Sequence, residues 1–239
     1  MGKLIKVANL SDIHFRFEDT LKVNIALREV SNFKPDVIVL NGDIYDCYTV
    51  SDYDKDPLRR TTIQDEFDGA RWFINAVDKL AKKVVFIQGN HENRFNRMFS
   101  SHPGLYDLRA LEFAKAAELP SRWVVLKDQE FYTLGDMVFL HGNLRGSSER
   151  SINPAMTLLK YIKKSLICGH YHRFGAFYDT TYEGLPIIGH MSGHMSDVSK
   201  AKFITKPNWQ SGWSEVYIKL EGGGFEVRPR IFWGNELIS

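Results

Sequence analysis

Short apolar runs alternate with helix-period segments in the first half of the chain, and strand-like runs dominate the second. Residues 3–10 predict a first strand that closes at Ser11 and Asp12. Leu21, Ile25, Ala26 and Leu27 fall on one side of a helix over residues 21–30. After the Lys34-Pro35 break, residues 36–40 are a continuous apolar run of the kind buried on both faces of a sheet. A polar stretch, 49–62, leads into a helix over 63–80 through Ile63, Phe67, Ala70, Ile74, Val77 and Leu80, and 84–87 reads as a third buried strand. A helix is expected over 105–118 and a strand over 123–126. Residues 131–134 and 137–140 flank Gly135-Asp136, a hairpin signal. Residues 154–163 predict a helix with proline at a permitted early position, and 166–168 a buried strand. Further β-patterned runs follow at 174–178, 186–188, 215–220 and 225–228. The pattern predicts an α/β domain of two β-rich halves, its sheets packed face to face with helices outside.

Composition narrows the class. The 239 residues are enough to bury roughly 70% of the unfolded chain's surface. With 44% hydrophobic and 25% charged residues, the chain is neither disordered, collagen-like nor a membrane bundle. A formal charge of +2 supplies no global positive field for coating nucleic acid or binding a membrane surface. Cys47 and Cys168 lack CxxC spacing, which points to reduced thiols and a cytoplasmic location. The amino terminus enters a strand without a signal-like apolar stretch. Lys6 stands where a myristoylation signal after Gly2 wants Ser or Thr. No window is long enough to span a membrane, so no membrane partner is expected.

The ends of the strand-like runs carry the chemistry. Asp12-Ile13-His14 follows the first, Gly42-Asp43-Ile44-Tyr45-Asp46 the second and Gly89-Asn90-His91-Glu92 the third. His141-Gly142 follows residues 137–140, and Gly169-His170-Tyr171-His172 follows 166–168. Ligands of open sheets collect beyond the carboxyl ends of strands. Asp, Asn and His offer oxygen and imidazole nitrogen, the donor set for intermediate divalent metals. In Asp-x-His and His-x-His, an extended backbone sends both side chains to one face, and the glycines permit close approach. Seven metal-type side chains are too many for one ordinary zinc and fit two ions sharing a carboxylate, about 3.5–4 Å apart, the usual device for in-line attack on phosphorus. A lone Asp-x-His is ordinarily surface, and Gly-Asp is ordinarily a turn. Here five of the eight histidines fall within five such blocks, each directly after a strand-like run, and coincidence does not produce that order.

This ordered set, Asp12-x-His14, Gly42-Asp43-x-x-Asp46, Gly89-Asn90-His91-Glu92, His141-Gly142 and Gly169-His170-x-His172, resembles the calcineurin-like metallophosphoesterase superfamily over residues 4–188. The resemblance implies a four-layer α/β/β/α sandwich of two packed mixed sheets flanked by helices. With no linker in the chain, residues 1–239 read as a single domain, and the 47–68 segment, leaving the carboxyl end of the second strand, reads as a lid over the metals. The resemblance also implies that Asp12, His14, Asp43 and His172 hold one divalent ion. Asp43, Asn90, His141 and His170 would hold the other, with Asp43 bridging. Manganese is the first choice, with iron, zinc, nickel and cobalt as alternatives. His91 would face the leaving-group oxygen as general acid or transition-state stabiliser, while Asp46 orients it and favours its protonated form.

Substrate class turns on departures from the family pattern. The protein-phosphatase branch places Asp-Arg-Gly after the second block, its arginine clamping a monoester; here Asp46 is followed by Cys47-Tyr48. Arg94, just after Gly-Asn-His-Glu, is the guanidinium expected to reach the phosphate, whereas Arg59, Arg60, Arg145 and Arg173 read first as solvated charges. In the 47–68 segment, Tyr48, Tyr53, Arg59 and Arg60 suit base stacking and phosphate pairing. His194, His190 and the 208–210 stretch are candidates for bordering the cleft. The expected function is hydrolysis of a phosphodiester, in a nucleotide or nucleic acid, by a hydroxide bridging two metals. A phosphomonoesterase or phosphoprotein phosphatase is the alternative. A non-catalytic scaffold ranks last because every ligand position and His91 are filled. Near-neutral charge argues against a nuclease that tracks a long duplex. No sequence feature assigns an oligomeric state.

Overall fold

Alternate side chains of the first buried strands leave the sheet in opposite directions, and that split generates the layers. The structure, a computed structural model, describes residues 3–58, 60–100, 102–106, 108–144, 151–200, 207–221 and 223–238. In chain order, β1 (Leu4–Leu10), α1 (Thr20–Phe33), β2 (Val37–Asn41), α2 (Ile63–Leu80) and β3 (Lys83–Ile87) come first. Three short helices follow, α3 (Glu92–Arg97), α4 (Pro103–Tyr106) and α5 (Phe113–Ala116), before β4 (Val124–Leu126). Next come the hairpin β5 (Tyr132–Leu134) and β6 (Met137–Leu140), then α6 (Pro154–Ile162), β7 (Ser165–Cys168), β8 (Gly175–Thr180) and β9 (Pro186–Met191). The chain returns through β10 (Gly212–Lys219), β11 (Phe225–Trp233) and β12 (Glu236–Leu237).

One sheet has the order β12-β11-β10-β1-β2-β3-β4 and the other β5-β6-β7-β9-β8. Each is mixed: β1 to β4 run parallel and meet antiparallel β10, whereas β6, β7 and β9 run parallel between antiparallel β5 and β8. Ala8, Leu10, Ile38, Leu40, Val84 and Phe86 face α1 and α2, packing on Ala26, Val30, Phe73 and Val77. Their neighbours Val7, Val39, Val85 and Ile87 face the second sheet through Met137, Phe139 and Ile167. On that sheet's far side, Val138, Leu140 and Leu166 pack on Ala155, Leu158 and Leu159 of α6. Each such fully buried aliphatic or aromatic side chain contributes about 1.5–3 kcal/mol. The expected four-layer sandwich of two mixed sheets with flanking helices is therefore present.

Local signals define the helix starts. Asp19 accepts from Lys22 N–H ahead of α1, and Thr62 with Asp65 forms a reciprocal capping box on α2. Asn153 caps α6, with Pro154 at its first turn. The helix expected over 105–118 is broken. Leu108 and Glu112 are extended, with ψ of 114 and 132°. That turn delivers Phe113 into an aromatic cluster with Tyr45, Phe67, Phe86 and Phe95, while Leu105, Tyr106 and Leu108 stay exposed. Burial of one aromatic has overridden the local helical period. No helix among the described residues is long and apolar enough to cross a membrane.

Candidate metal centre

The loops beyond β1, β2, β3, β6 and β7 meet at one edge of the sandwich. Asp12 N–H donates to Gly42 O and His14 N–H to Asp43 O, each at 3.0 Å, so the first two loops are tied together. His170 N–H reaches both carboxylate oxygens of Asp12, each at 3.0 Å. Asp12, His14, Asp43, His170 and His172 have φ of 54, 53, 53, 68 and 56°. Strand alternation does not bring the Asp-x-His and His-x-His pairs together; each partner turns left-handed beyond the strand end. That conformation costs a residue bearing a Cβ about 1–2 kcal/mol and persists only where surrounding bonds enforce it. Gly89 leaves room for the carboxylate: a Cβ there would lie 2.2 Å from Asp43 Oδ1 and 2.8 Å from His141 Nε2.

Two groups of potential ligand atoms result. Asp12, His14 and His172 each bring one atom within 4.8 Å of the others, and so do Asp43, His141 and His170. His172 Nε2 lies 3.2 Å from Asp12 Oδ1 and 3.1 Å from His14 Nε2. His141 Nε2 lies 3.1 Å from both Asp43 Oδ2 and Asn90 Oδ1. Asp43 also groups with His14 and His91, which places it between the two sets.

The tautomers test whether these residues suit cations. His14 Nδ1–H donates to Asp46 Oδ1 at 2.9 Å and His141 Nδ1–H to the Asn41 carbonyl at 2.9 Å, because those oxygens only accept. Each ring therefore turns Nε2 inward, towards other lone pairs about 3 Å away. Such a gathering of lone pairs calls for a cation or a proton between them. The donor set, oxygen with imidazole nitrogen, fits two divalent ions.

Charge follows the same geometry. Burial opposes ionisation of Asp12 and Asp43, but neighbouring His172 and His141 outweigh it and hold both carboxyls below the usual range. Burial likewise works against Asp46, yet hydrogen bonds from His14 and His91 keep its carboxyl low. His170 falls to about 4, through burial and then repulsion from His141. Burial would lower His141 too, but Asp43 against it raises its pKa to about 10. His91 is raised: Asp43 and the Asp46 hydrogen bond overcome its burial.

His91 sits at the rim of this centre. Its Nδ1 lies 3.0 Å from Asp46 Oδ1 and 3.0 Å from the Asp46 carbonyl, and its N–H donates to Asp43 Oδ1 at 2.9 Å. Arg94 is brought beside it, Nη2 donating to His91 Nε2 at 2.9 Å and Nη1 to the Asp46 carbonyl at 2.9 Å. Tyr48 is half-buried, its hydroxyl accepting from Asp56 N–H at 2.5 Å. Tyr53 is exposed, with the Arg94 guanidinium 5.8 Å from its ring. Arg60 is exposed ahead of α2, and Arg59 and Arg145 lie outside the described residues. Arg173 donates to the Ser151 and Ile152 carbonyls. His194 is fully buried: it stacks on His172 at 5.5 Å, takes Ser196 N–H on Nδ1 and leaves Nε2 without a hydrogen-bond partner. His190 is buried against Ser214, and His102 is exposed. Trp209 stands edge-on to His172, 4.3 Å between ring centroids.

Sequence reasoning passed over two buried glutamates. Glu92 Oε2 accepts from Asp43 N–H at 3.0 Å and Gly89 N–H at 2.7 Å, and its Oε1 from Tyr45 N–H at 2.9 Å. Glu66, on α2, accepts from Cys47 N–H at 2.6 Å. A signal existed for Glu66, a carboxylate in register with Ile63, Ala70 and Phe73 on the apolar face of α2. Burial first, and then the Asp46 charge, push its pKa up to about 8 from 4.5. Between those values the folded state holds a proton that the unfolded chain has lost, so stability falls as pH rises. The slope is about 1.4 kcal/mol per pH unit. Glu66→Gln should flatten the dependence of urea unfolding between pH 5 and 8. An unchanged slope in the variant would rule out a protonated carboxyl there.

A family model described as calcineurin-like phosphoesterase matches residues 5–174. The chain is 22% identical over 255 residues to the Gene 54 protein of Mycobacterium phage L5, covering 97% of this chain and 99% of that protein. Among solved structures, a dimetal phosphatase from Danio rerio aligns at 13% identity and TM-score 0.46, over 94% of this chain and 96% of the other. Vacuolar protein sorting 29 from Cryptosporidium parvum aligns at 12% identity and TM-score 0.46, over 97% and 98% of the two chains.

Proposed function

The chain belongs to the calcineurin-like phosphoesterase family, and from that premise we propose that it hydrolyses a phosphodiester, in a nucleotide or nucleic acid, with two divalent ions. The observation that carries this reading is the pair of ligand groups meeting at Asp43, with His91 and Arg94 at their rim. Asp12, His14, Asp43 and His172 would hold one ion, and Asp43, Asn90, His141 and His170 the other. When bound, the ions would supply Lewis-acid chemistry, lowering the pKa of water towards neutral and offsetting charge on the phosphoryl oxygens.

The chain's own residues do the rest. Asp46 fixes both His14 and His91 by their Nδ1 atoms, at 2.9 and 3.0 Å. His91 Nε2 is thereby left facing the rim of the centre, 3.8 Å from Asp43 Oδ2, where Arg94 now donates to it. A substrate would enter between these two groups, the guanidinium turning to a phosphoryl oxygen and the imidazole to the leaving-group oxygen. Preference for a diester is supported by Cys47, which is fully buried at the position where the phosphatase branch raises its arginine. We assign the aromatic surface of the 47–68 segment, Tyr48 and Tyr53, together with Arg60, to the group beyond the ester.

Bis-p-nitrophenyl phosphate and p-nitrophenyl phosphate, each with Mn²⁺ and with EDTA, test the reading. Faster cleavage of the diester, abolished by EDTA, is the expected result. Preference for the monoester would overturn the diester assignment and give Arg94 the role of a monoester clamp.

A further inference from the structure

Glu66 touches neither ligand group, yet it is 3% exposed and aimed at backbone beside Asp46. Its carboxyl takes Cys47 N–H at 2.6 Å, and Tyr48 N–H bonds to it as well. Cys47 is left-handed at φ 49° and ψ 38°, a conformation its side chain does nothing to favour. The Cys47 N–H belongs to the same planar peptide as the Asp46 carbonyl. That carbonyl accepts from Arg94 Nη1 at 2.9 Å and lies 3.0 Å from His91 Nδ1. Glu66 thus holds one end of a rigid plate whose other end bears on His91 and Arg94. Glu92 takes the amides of Asp43 and Tyr45, so alternate amides of one loop, 43, 45 and 47, terminate on two buried carboxyl groups.

We propose that Glu66 is a positioning residue, setting the 46–47 peptide and through it the placement of His91 and Arg94 at the leaving-group side. The inference rests on the reading of His91 as acting on the leaving-group oxygen. Because Glu66 opens α2 directly after the 47–62 stretch, the same contact closes the base of that stretch. The role requires a hydrogen-bond acceptor and not a charge, so glutamine should serve.

The test compares Glu66→Ala and Glu66→Gln on a series of phosphodiesters with leaving alcohols of rising pKa. Amide exchange at Cys47 is measured in the metal-free protein, and metal content in the loaded one. Displacing catalytic groups by about 1 Å costs on the order of 10²-fold. For Glu66→Ala the expected result is a kcat lower by about 10- to 100-fold on alkyl leaving groups and much less on nitrophenyl ones. KM and metal content should hold, and Cys47 exchange should quicken. Glu66→Gln should restore both kcat and exchange protection. An equal loss across the series, or quickened exchange with unaltered kinetics, would overturn the proposal. If the alanine variant does not fold, Glu66→Asp, whose carboxyl is drawn back by one methylene, carries the same comparison. His91→Ala is the control: if it leaves the leaving-group dependence unchanged, the reading of His91 fails. If it steepens that dependence and the Glu66 variants do not, only the present inference fails.

Discussion

His91→Ala is expected to lower kcat by about 10²- to 10⁴-fold while both metals stay bound. The expectation follows from what the ring does and does not hold. The hydrogen bond to the shared carboxylate, 2.9 Å to Asp43 Oδ1, comes from the His91 backbone N–H and survives the substitution, while the ring's Nε2 stands back at 3.8 Å from Asp43 Oδ2. Asp46 keeps its 2.9 Å bond to His14 Nδ1, so the His14 tautomer that presents Nε2 inward is retained. Lost is the imidazole whose pKa is raised because Asp43 and Asp46 overcome its burial, the group suited to hand a proton to a leaving oxygen. Steady-state kinetics on an alkyl phosphodiester, with metal analysis of the same preparation, checks both halves. A variant that loses its metals would make His91 structural, and one that keeps full turnover would remove it from the mechanism.

The residues that converge on this centre were readable because chemistry leaves a mark in residue type. Asp, Asn and His at five strand ends have no common structural reason to recur, and the chain brings all seven together. The way they converge was not readable. Alternation along a strand predicts one shared face for Asp12 and His14, whereas both lie beyond β1 in left-handed turns enforced by bonds to Gly42 and Asp43. Those bonds join segments 30 residues apart, and no local pattern encodes them. Glu66 is a similar case. Its place on the apolar face of α2 was visible, but its partner, a backbone amide of another loop, carries no side-chain signature. The fold followed the same rule. Long periodic runs such as 63–80 became the expected elements, while 105–118 broke at Leu108 and Glu112, the turn before α5 that sets Phe113 into an aromatic cluster. Arg94 was placed near the substrate by its position after the third block, and one turn of α3 does bring it against His91.

Asp43→Asn should abolish both activity and dinuclear metal binding while leaving the apo fold intact. Asparagine has the same shape, and the backbone bond from Asp43 N–H to Glu92 does not depend on the side chain. At Oδ2 the substitution leaves an amide group 3.1 Å from His141 Nε2, where the wild-type carboxylate keeps that ring protonated in the metal-free protein. An ion pair becomes a neutral hydrogen bond, and the like charge beside Asp12 disappears. The metal-free variant should therefore still fold cooperatively, at a urea midpoint equal to the wild type's or somewhat lower. Both ions, by contrast, would lose the anionic ligand assigned to both, and affinity should fall by more than the roughly 10- to 100-fold that loss of an outer hydrogen-bond partner costs. Linkage separates the two effects. A ligand at 100 times its Kd adds about 2.7 kcal/mol per site to stability, so Mn²⁺ should raise the wild-type Tm and leave that of the variant unmoved. A variant that still took up two ions per chain, with the same rise in Tm, would show that Asp43 is not the shared carboxylate.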